Sequence, residues 1–260
     1  MRSIRRYCAV LVVALLAVSC GSGGALGTGV SLDQEWQLGN QMAAQVAQQM
    51  QLVNDPTALA YVRQVGERIH AITPEANLPF NFEIVNDPSI NAFSLPGGHV
   101  YINTGLIANV DHADELASVI AHEISHVVAR HVIKQIEQQQ EISVIGSILL
   151  GQNPGALQQI VAQVVAGGVM ARFSRADEKQ ADDMGLQFLA QAGYNPNGML
   201  EMFQKLLSLE KSRPDAVAKF FQDHPGTQDR INDISNRLKS MPNTGIVDEA
   251  GFEQLKSRIR

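Results

Sequence analysis

Residues 113–131, ADELASVIAHEISHVVARH, decide the fold, because the five residues from His122 to His126 match the pattern H-E-x-x-H. On a helix, His122 and His126 lie one turn apart on the same face, so both imidazoles can reach one cation. Glu123 lies about 100° further round the helix, beside that cation, where it suits a base acting on water that the cation activates. The stretch therefore predicts an active-site helix.

The surroundings of this helix favour a metal site over a chance match to a short pattern. Residues 116–133 are otherwise almost wholly apolar, which predicts that the helix is buried. Two histidines and a glutamate without partners would be costly to bury, and a divalent cation would remove that cost. The alternative is a buried His–Glu hydrogen-bond network without metal. We expect Asp111 to cap the helix, with two acidic residues in its first turn.

A downstream helix offers the third ligand that a zinc site with an open position for water requires. Ser174 and Asp177 form a capping-box-like helix start, and Glu178 and Asp182 then fall on the apolar stripe of the helix that follows. Glu178 as a zinc ligand, with Asp182 orienting a ligating histidine through its free N–H, would give both carboxylates partners. The alternative is a carboxylate pair that faces solvent at a helix start.

His131 is the nearest further histidine, but it does not fit the extended pattern H-E-x-x-H-x-x-G-x-x-H. Ala129 stands at the glycine position, and His131 comes one residue too early, on a helix that we expect to continue. Two interpretations stay open. His131 either lies behind the ligands or competes with them for the metal, or it is a surface histidine.

The rest of the chain predicts an α+β fold that is mostly helical, with a small β-sheet. Periodicity and turn residues predict two early helices, one strand and a hairpin closed by a glycine turn, at residues 31–53, 55–72, 80–85 and 93–102. After the hairpin, the sequence reads as helical almost to its end. Two apolar stretches, 142–150 and 157–170, are too short to span a bilayer. We expect them to form buried helices or, alternatively, a flap that contacts lipid or substrate.

The N-terminus is typical of a bacterial lipoprotein signal. Arginines at positions 2, 5 and 6 precede a ten-residue apolar run, 9–18, which is shorter than the about 20 residues that span a bilayer. Residues 17–20, AVSC, resemble a lipobox, so we expect residues 1–19 to be removed and Cys20 to be acylated. Residues 20–31 are glycine-rich and predict a flexible tether. The alternative is ordinary secretion with an incidental cysteine.

Composition and charge argue against several function classes. The chain has 260 residues, 45% of them hydrophobic and 18% charged, which is typical of a globular protein. Its net charge is −6, and removal of residues 1–19 with their three arginines leaves −9, which disfavours nucleic-acid binding. The only other cysteine, Cys8, lies in the removed segment, so we expect no internal disulfide. Neither G-x-S-x-G nor a phosphate-binding loop occurs, which disfavours serine hydrolases and nucleotide-binding proteins.

Four motifs carry a resemblance to a known family, namely NAFSLPGGHVYINTGL (91–106), HEISHVVARH (122–131), SRADEKQAD (174–182) and HPGTQDR (224–230). Together they resemble the HtpX-type and CaaX prenyl protease type 1 zinc metallopeptidases, metallopeptidase family forty-eight, of the gluzincin kind. The lipobox is similar to that of the family's small periplasmic lipoproteins. The resemblance implies a zincin-type metallopeptidase domain over residues 32–240, a C-terminal tail over 241–260 and one Zn²⁺ per chain.

The resemblance implies the same metal ligands and catalytic base as the spacing does, with Asp182 supporting a ligand from behind. It further implies that His224 donates a hydrogen bond to the developing oxyanion and that Arg230 supports it. The alternative for His224 is a loop residue that caps a helix.

The motif that begins at residue 91 is expected to bind substrate. Asn91 would face the substrate carbonyl. The segment from Phe93 to Ile102 fits an edge strand that adds a peptide by main-chain pairing, with Phe93 and Leu95 in contact with that peptide. The alternative is an ordinary hairpin.

The function that the resemblance implies is zinc-dependent endopeptidase activity on polypeptides, namely misfolded proteins of the bacterial envelope. A lipid anchor at Cys20 would place the enzyme on the periplasmic face of the outer membrane. The alternative belongs to a different class: a lipid-anchored chaperone or assembly factor for outer-membrane proteins, with little proteolysis.

Overall fold

A computed structural model describes residues 29–139, 142–165 and 172–259. The signal segment, Cys20 and most of the tether lie outside these residues. Within the described ranges no helix has both the length and the apolar character needed to cross a bilayer. The helices are α1 Leu32–Gln49, α2 Pro56–His70, α3 Thr104–Asn109, α4 Ala113–Val128, α5 His131–Gln139, α6 Ile142–Leu149, α7 Pro154–Val165, α8 Arg175–Gln191, α9 Asn197–Ser212, α10 Pro214–Asp223, α11 Thr227–Leu238 and α12 Phe252–Ile259.

The strands β1 Asn81–Val85, β2 Ala92–Leu95 and β3 His99–Asn103 form one sheet in the order β1-β3-β2. β3 pairs in parallel with β1 and antiparallel with β2, so the predicted hairpin and the α+β class are confirmed. Gly97 and Gly98 form its turn at φ angles of 75° and 77°, a region that glycine adopts readily. The edge strand was predicted over the whole segment from Phe93 to Ile102. Because β3 has a partner on either side, only the β2 part of that segment lies at an edge of the sheet.

The first two helices begin at capping residues. Ser31 starts a capping box at the N-terminus of α1, and the Asp55 carboxylate accepts hydrogen bonds from two backbone amides of α2. Both helices end earlier than the sequence periodicity predicts. The residues after α1 turn towards the sheet instead, where Leu52 forms an isolated bridge with Val85.

Helix α4 lies at the centre of the fold, where it packs against α8, α9, α2 and β2. Every residue from Ala113 to Val127 is buried, as the apolar composition predicts. The carboxylates and imidazoles of α4 therefore point into protein rather than into solvent, whichever face of the helix carries them.

The start of α4 is capped by the C-terminal segment rather than by Asp111, which corrects the prediction. The N-cap residue makes no side-chain capping bond. The backbone amide of Ala113 donates to Asp248 Oδ1 at 3.2 Å, and that of Asp114 donates to Val247 O at 3.0 Å. The Asp111 carboxylate is drawn away by an ion pair of 2.6 Å with a lysine of α9.

The end of α4 also differs from the prediction, because the helix stops at Val128 and a new helix begins at His131. Between them Arg130 has a φ of 59°, a left-handed conformation that is unfavourable for a residue with a side chain. Arg130 Nε donates to Glu35 Oε2 on α1 at 2.5 Å, and its Nη2 donates to the Val30 carbonyl at 2.8 Å. These bonds hold the turn.

Helices α6 and α7 pack with α1 in a second hydrophobic cluster. Ile145 and Ile148 of α6 are buried there, together with Ile160 and Val161 of α7. Each helix buries one face, whereas Leu150 at the end of the first stretch is 72% exposed, so the prediction of buried helices holds for one face of each. Residues 166–170 of the second stretch lie outside the described ranges.

The segment expected as a C-terminal tail packs on the domain. It contains α12, whose Phe252 and Leu255 are buried in the main hydrophobic cluster. Arg258 of α12 forms an ion pair of 3.1 Å with Asp55 at the start of α2. The described part of the tail therefore contributes to the core.

Candidate metal centre

Four potential metal ligands converge where α4, α8 and the end of α10 meet. One donor atom from each lies within 4.8 Å of the others, and the residues are His122, His126, Glu178 and His224. The Nε2 atoms of the first two are 3.0 Å apart; Glu178 Oε2 lies 3.5 Å from that of His122, and Glu178 Oε1 lies 3.5 Å from that of His126. All four residues are buried, at most 5% exposed. The structure thus brings together the three ligands expected from the sequence and places His224 among them.

Helical spacing and one glycine produce this convergence. His122 and His126 lie one turn apart on α4, and Glu178 lies in the first turn of α8. The predicted capping box at Ser174 is present and fixes where α8 begins. A Cβ at Gly185 would lie 3.1 Å from Met199 Cε and 3.4 Å from the Cα of His122, so glycine at this position leaves room for α8 beside α4 and α9.

The donor set fits a divalent cation, since two imidazoles and a carboxylate are a set that zinc takes in catalytic sites. Burial and the neighbouring His122 place the pKa of His126 well below its usual range. Burial would raise the pKa of Glu178, but the charge of Arg230 holds it well below its usual range. Burial would lower the pKa of His122, yet hydrogen bonds to Asp182 and Glu178 raise it to about 9. A cation bound to His122 would therefore release a proton.

The four potential metal ligands are called the donor cluster below. Glu123 lies beside this cluster rather than within it. Its Oε2 accepts a hydrogen bond from Ser94 Oγ at 2.9 Å, and its Oε1 lies 3.5 Å from His224 Nε2. The residue is 1% exposed. One carboxylate oxygen is thus fixed by a serine of β2, and the other faces the imidazole at the end of α10.

His224 is both the C-cap residue of α10 and a member of the donor cluster. Its Nδ1 lies 3.1 Å from Glu178 Oε1 and 3.3 Å from His122 Nε2. The sequence left two alternatives for His224, one in the active site and one at the end of a helix. The structure places it at both, because the end of α10 lies in the site.

Asp182 and Arg230 form a buried ion pair behind His122. Asp182 Oδ1 lies 3.0 Å from His122 Nδ1. The Arg230 guanidinium donates two hydrogen bonds of 2.7 Å to the Asp182 carboxylate and also contacts the Glu178 carboxylate. Its Cζ lies 4.3 Å from the centre of the Phe203 ring. The carboxylate pair of α8 faces the protein interior, so its solvent-facing alternative is wrong.

His131 is 1% exposed, so the interpretation as a surface histidine is wrong. The physical reason is the break at the end of α4, which turns the first residue of α5 back towards the centre. His131 Nδ1 lies 3.0 Å from His126 Nδ1, and its Nε2 lies 3.1 Å from Gln180 Oε1. His131 therefore lies behind a ligand.

The three residues expected to bind substrate lie in two different environments. Asn91, fully buried, donates from Nδ2 to Asp223 Oδ2 at 3.0 Å, next to the end of α10. Phe93 and Leu95 are buried in the second hydrophobic cluster, where Phe93 stacks on Tyr101. The structure brings Asn91 near the centre, whereas the side chains of Phe93 and Leu95 point away from it.

Sequence reasoning missed two residues of the centre. Ser94, between Phe93 and Leu95, faces α4 because side chains alternate along a strand. Phe173 stacks on His126 with ring centres 3.8 Å apart. The alternation of β2 offered a signal for Ser94, and the position of Phe173 directly before the capping box offered one for its packing.

Several known proteins are similar in sequence to most of this chain. It is 32% identical over 247 residues to the beta-barrel assembly-enhancing protease of Escherichia coli (strain K12), which covers 91% of this chain and 50% of that protein. It is 33% identical over 183 residues to the mitochondrial metalloendopeptidase OMA1 of Schizosaccharomyces pombe, with 70% and 53% covered. It is 26% identical over 250 residues to the metalloprotease LoiP of Escherichia coli (strain K12), with 91% and 98% covered. The chain thus spans about half the length of the first two relatives.

The family model of peptidase family M48 matches residues 56–238. This range covers more than half of the chain and includes the whole donor cluster, Glu123 and Arg230. The names of the matched relatives describe proteases, and two of those names specify metal dependence. The chain therefore belongs to peptidase family M48.

Proposed function

We propose that this protein is a zinc-dependent endopeptidase that hydrolyses peptide bonds in misfolded proteins of the bacterial envelope. The observation that carries the proposal is the convergence of His122, His126 and Glu178 donor atoms with the Glu123 carboxylate beside them. The protease names of the matched relatives support the same activity.

His122, His126 and Glu178 would hold the zinc ion. Bound there, zinc supplies Lewis-acid polarisation and lowers the pKa of water. Glu123 accepts the proton of the attacking water and returns it to the leaving amine. Ser94 keeps the Glu123 carboxylate in place for both transfers, because its Oγ donates to Oε2 at 2.9 Å.

His224 and Arg230 assist from the other side of the cluster. His224 Nε2, 3.5 Å from Glu123 Oε1, donates a hydrogen bond to the oxyanion of the substrate. Arg230 holds Asp182 with two hydrogen bonds, and Asp182 in turn orients His122 through its Nδ1.

Substrate peptides add to β2 by main-chain pairing, with Phe93 and Leu95 contributing backbone groups. Two observations support this: β2 is one of the two edge strands of the sheet, and its Ser94 contacts Glu123. Asn91 faces the substrate carbonyl just before the strand. Since every donor is buried, a peptide enters only when covering side chains move, and Phe173 is one of them.

The proposal includes a lipid anchor at Cys20 and a location on the periplasmic face of the outer membrane. The support is the sequence of residues 1–31, with its positive start, short apolar run, lipobox-like AVSC and glycine-rich tether. Incorporation of labelled palmitate into the wild-type chain, and its loss in Cys20→Ser, would test the anchor.

A second candidate is a lipid-anchored chaperone or assembly factor for outer-membrane proteins with little proteolysis. The observation in its favour is the burial of the whole donor cluster, which a peptide reaches only after side chains move. The name of one relative, beta-barrel assembly-enhancing protease, joins both roles in that protein.

Cleavage of casein by the purified full-length chain separates the two candidates. We expect cleavage that a chelator abolishes, that added zinc restores, and that Glu123→Gln loses while keeping its metal. Unimpaired turnover in Glu123→Gln would refute the base assignment. A metal-loaded wild type without turnover would favour the assembly factor. Comparing cleaved envelope proteins in cells with wild type and Glu123→Gln then identifies the substrates.

A further inference from the structure

A second pair of imidazoles lies behind the metal centre. His131 Nδ1 is 3.0 Å from His126 Nδ1, the ring nitrogen of His126 that faces away from the other donors. On its far side, His131 Nε2 is 3.1 Å from Gln180 Oε1 on α8. His131 is 1% exposed and His126 is fully buried. Asp177 Oδ1 lies 3.5 Å from the same His131 Nε2 and, like the Gln180 oxygen, can accept a hydrogen bond from it.

His126, His131 and Gln180 form a row of hydrogen-bonding groups. The chemistry of these groups allows only one placement of the protons on the ring nitrogens. His126 needs its Nε2 lone pair for a cation, so its proton is on Nδ1. His131 Nδ1 must then accept that hydrogen, which leaves the proton of His131 on Nε2. The Gln180 carbonyl oxygen, which can only accept, receives it. All donors and acceptors of the row are matched in this order.

The fold places His131 there through a strained turn. On an unbroken helix, residue 131 would lie about 140° round the axis from residue 126, given 3.6 residues per turn. Arg130 at a φ of 59° ends that path, and its hydrogen bond of 2.5 Å to the buried Glu35 carboxylate stabilises the conformation. A left-handed arginine persists only where its surroundings impose it.

The two imidazoles expected to bind zinc have different partners. His122 has the Asp182 carboxylate at its Nδ1, whereas His126 has the His131 imidazole at its Nδ1. We propose that His131 is a positioning residue that fixes the tautomer and ring orientation of His126, so that His126 Nε2 faces the cation. This inference rests on the zinc site of the proposed function, but it concerns metal affinity rather than catalysis.

The affinity for Zn²⁺, measured by competition with a chromophoric chelator, tests the proposal. Loss of such a partner weakens metal binding about 10- to 100-fold, and we expect this of His131→Leu. His131→Asn places a carbonyl oxygen where Nδ1 was, so we expect it to stay within about threefold of wild type. A folded His131→Leu variant with unchanged affinity would overturn the proposal, as would an equal loss in both variants.

His70→Leu is the matched control. His70 is also a buried histidine, with its Nε2 2.9 Å from the Glu75 carbonyl at the end of α2. The same substitution there destabilises the fold but removes no partner of a ligand. We expect wild-type zinc affinity, and a loss equal to that of His131→Leu would mean that destabilisation alone explains the effect.

Nitrogen NMR of histidine-labelled, zinc-loaded wild type gives a readout that needs no variant to fold. We expect the proton of His126 on Nδ1 and the proton of His131 on Nε2. A proton on His131 Nδ1 would overturn the proposal, because that atom could not accept from His126. Neither readout uses peptide cleavage, so an inactive but zinc-binding protein would count against the proposed function alone.

Discussion

Ser94 Oγ donates a hydrogen bond of 2.9 Å to Glu123 Oε2 and thereby joins the edge strand β2 to the central helix α4. Both residues are almost fully buried. A hydrogen bond to a charged group in such surroundings is stronger than one in water. The strand proposed to receive the peptide and the proposed base are therefore held in one fixed relationship.

Ser94→Ala should lower kcat about 10- to 150-fold with little change in KM, because a charge-assisted bond to the base is worth roughly 1.5–3 kcal/mol. Steady-state cleavage of a fluorogenic peptide measures both constants. Ser118→Ala is the control, since the buried Ser118 Oγ donates only to the Glu115 carbonyl within α4. Equal kinetics for wild type and Ser94→Ala would show that the bond does not position Glu123.

Arg230→Lys should lower the free energy of unfolding by about 2 kcal/mol, because an ammonium group cannot reproduce the two parallel bonds to the Asp182 carboxylate. Those bonds are both 2.7 Å long, and Arg230 is 5% exposed. Urea unfolding of the full chain measures the change.

The control for this substitution lies on the same helix. Arg237 of α11 pairs with Asp183, but its side chain is 42% exposed, and exposed pairs contribute about 0–1 kcal/mol. Arg237→Lys should therefore unfold almost as wild type does. A loss of stability for Arg237→Lys as large as that for Arg230→Lys would contradict the claim that the two buried hydrogen bonds between Arg230 and Asp182 stabilise the fold.

Asp248→Ala should lower the free energy of unfolding by about 1 kcal/mol, the usual effect of losing an N-cap. Asp111→Ala should change it by less than about 0.5 kcal/mol, because the Asp111 side chain is 68% exposed and only pairs with Lys205. Thermal unfolding of both variants measures the difference. The reverse order would restore Asp111 as the cap of α4.

The ligands of the centre could be predicted from sequence because they depend on local geometry. His122, Glu123 and His126 share one helix, and the stripe that carries Glu178 and Asp182 needs only a second helix packed on the first. The α+β class followed in the same way, from strands that alternate and helices that begin at capping residues.

The surroundings of the ligands could not be predicted, because they depend on residues far apart in the chain. The turn that delivers His131 is held by a bond between Arg130 and Glu35, 95 residues apart. The cap of α4 comes from Asp248, 135 residues after Ala113. Local patterns carry no information about such pairs, so the helix was expected to continue and Asp111 to cap it.

Asp114→Asn should stabilise the protein, and the gain should grow with pH. Burial, followed by the negative charge of Glu201, raises the pKa of Asp114 from 3.8 to about 7, although a hydrogen bond from the Glu115 backbone amide and the charge of His112 favour its ionisation. The folded state therefore holds the Asp114 proton more tightly than the unfolded state does. The stability that this gives the fold is fully present below about pH 4 and is lost as the pH rises through 7.

Urea unfolding of wild type and Asp114→Asn from pH 5 to pH 9 checks this prediction. Asparagine avoids the cost of ionisation, so the variant should exceed wild type by roughly 2–4 kcal/mol above pH 8 and by less at pH 5. Parallel curves for the two proteins would show that Asp114 ionises normally in the fold.

Elemental mass spectrometry of the purified full-length chain tests the zinc site most directly. We expect one zinc ion per chain in wild type and in Glu123→Gln, because Glu123 lies beside the donors and not among them. We expect His122→Ala and Glu178→Gln to retain far less, since each loses one of three ligands. Wild-type protein without stoichiometric metal, or a full equivalent of zinc in either ligand variant, would contradict the site.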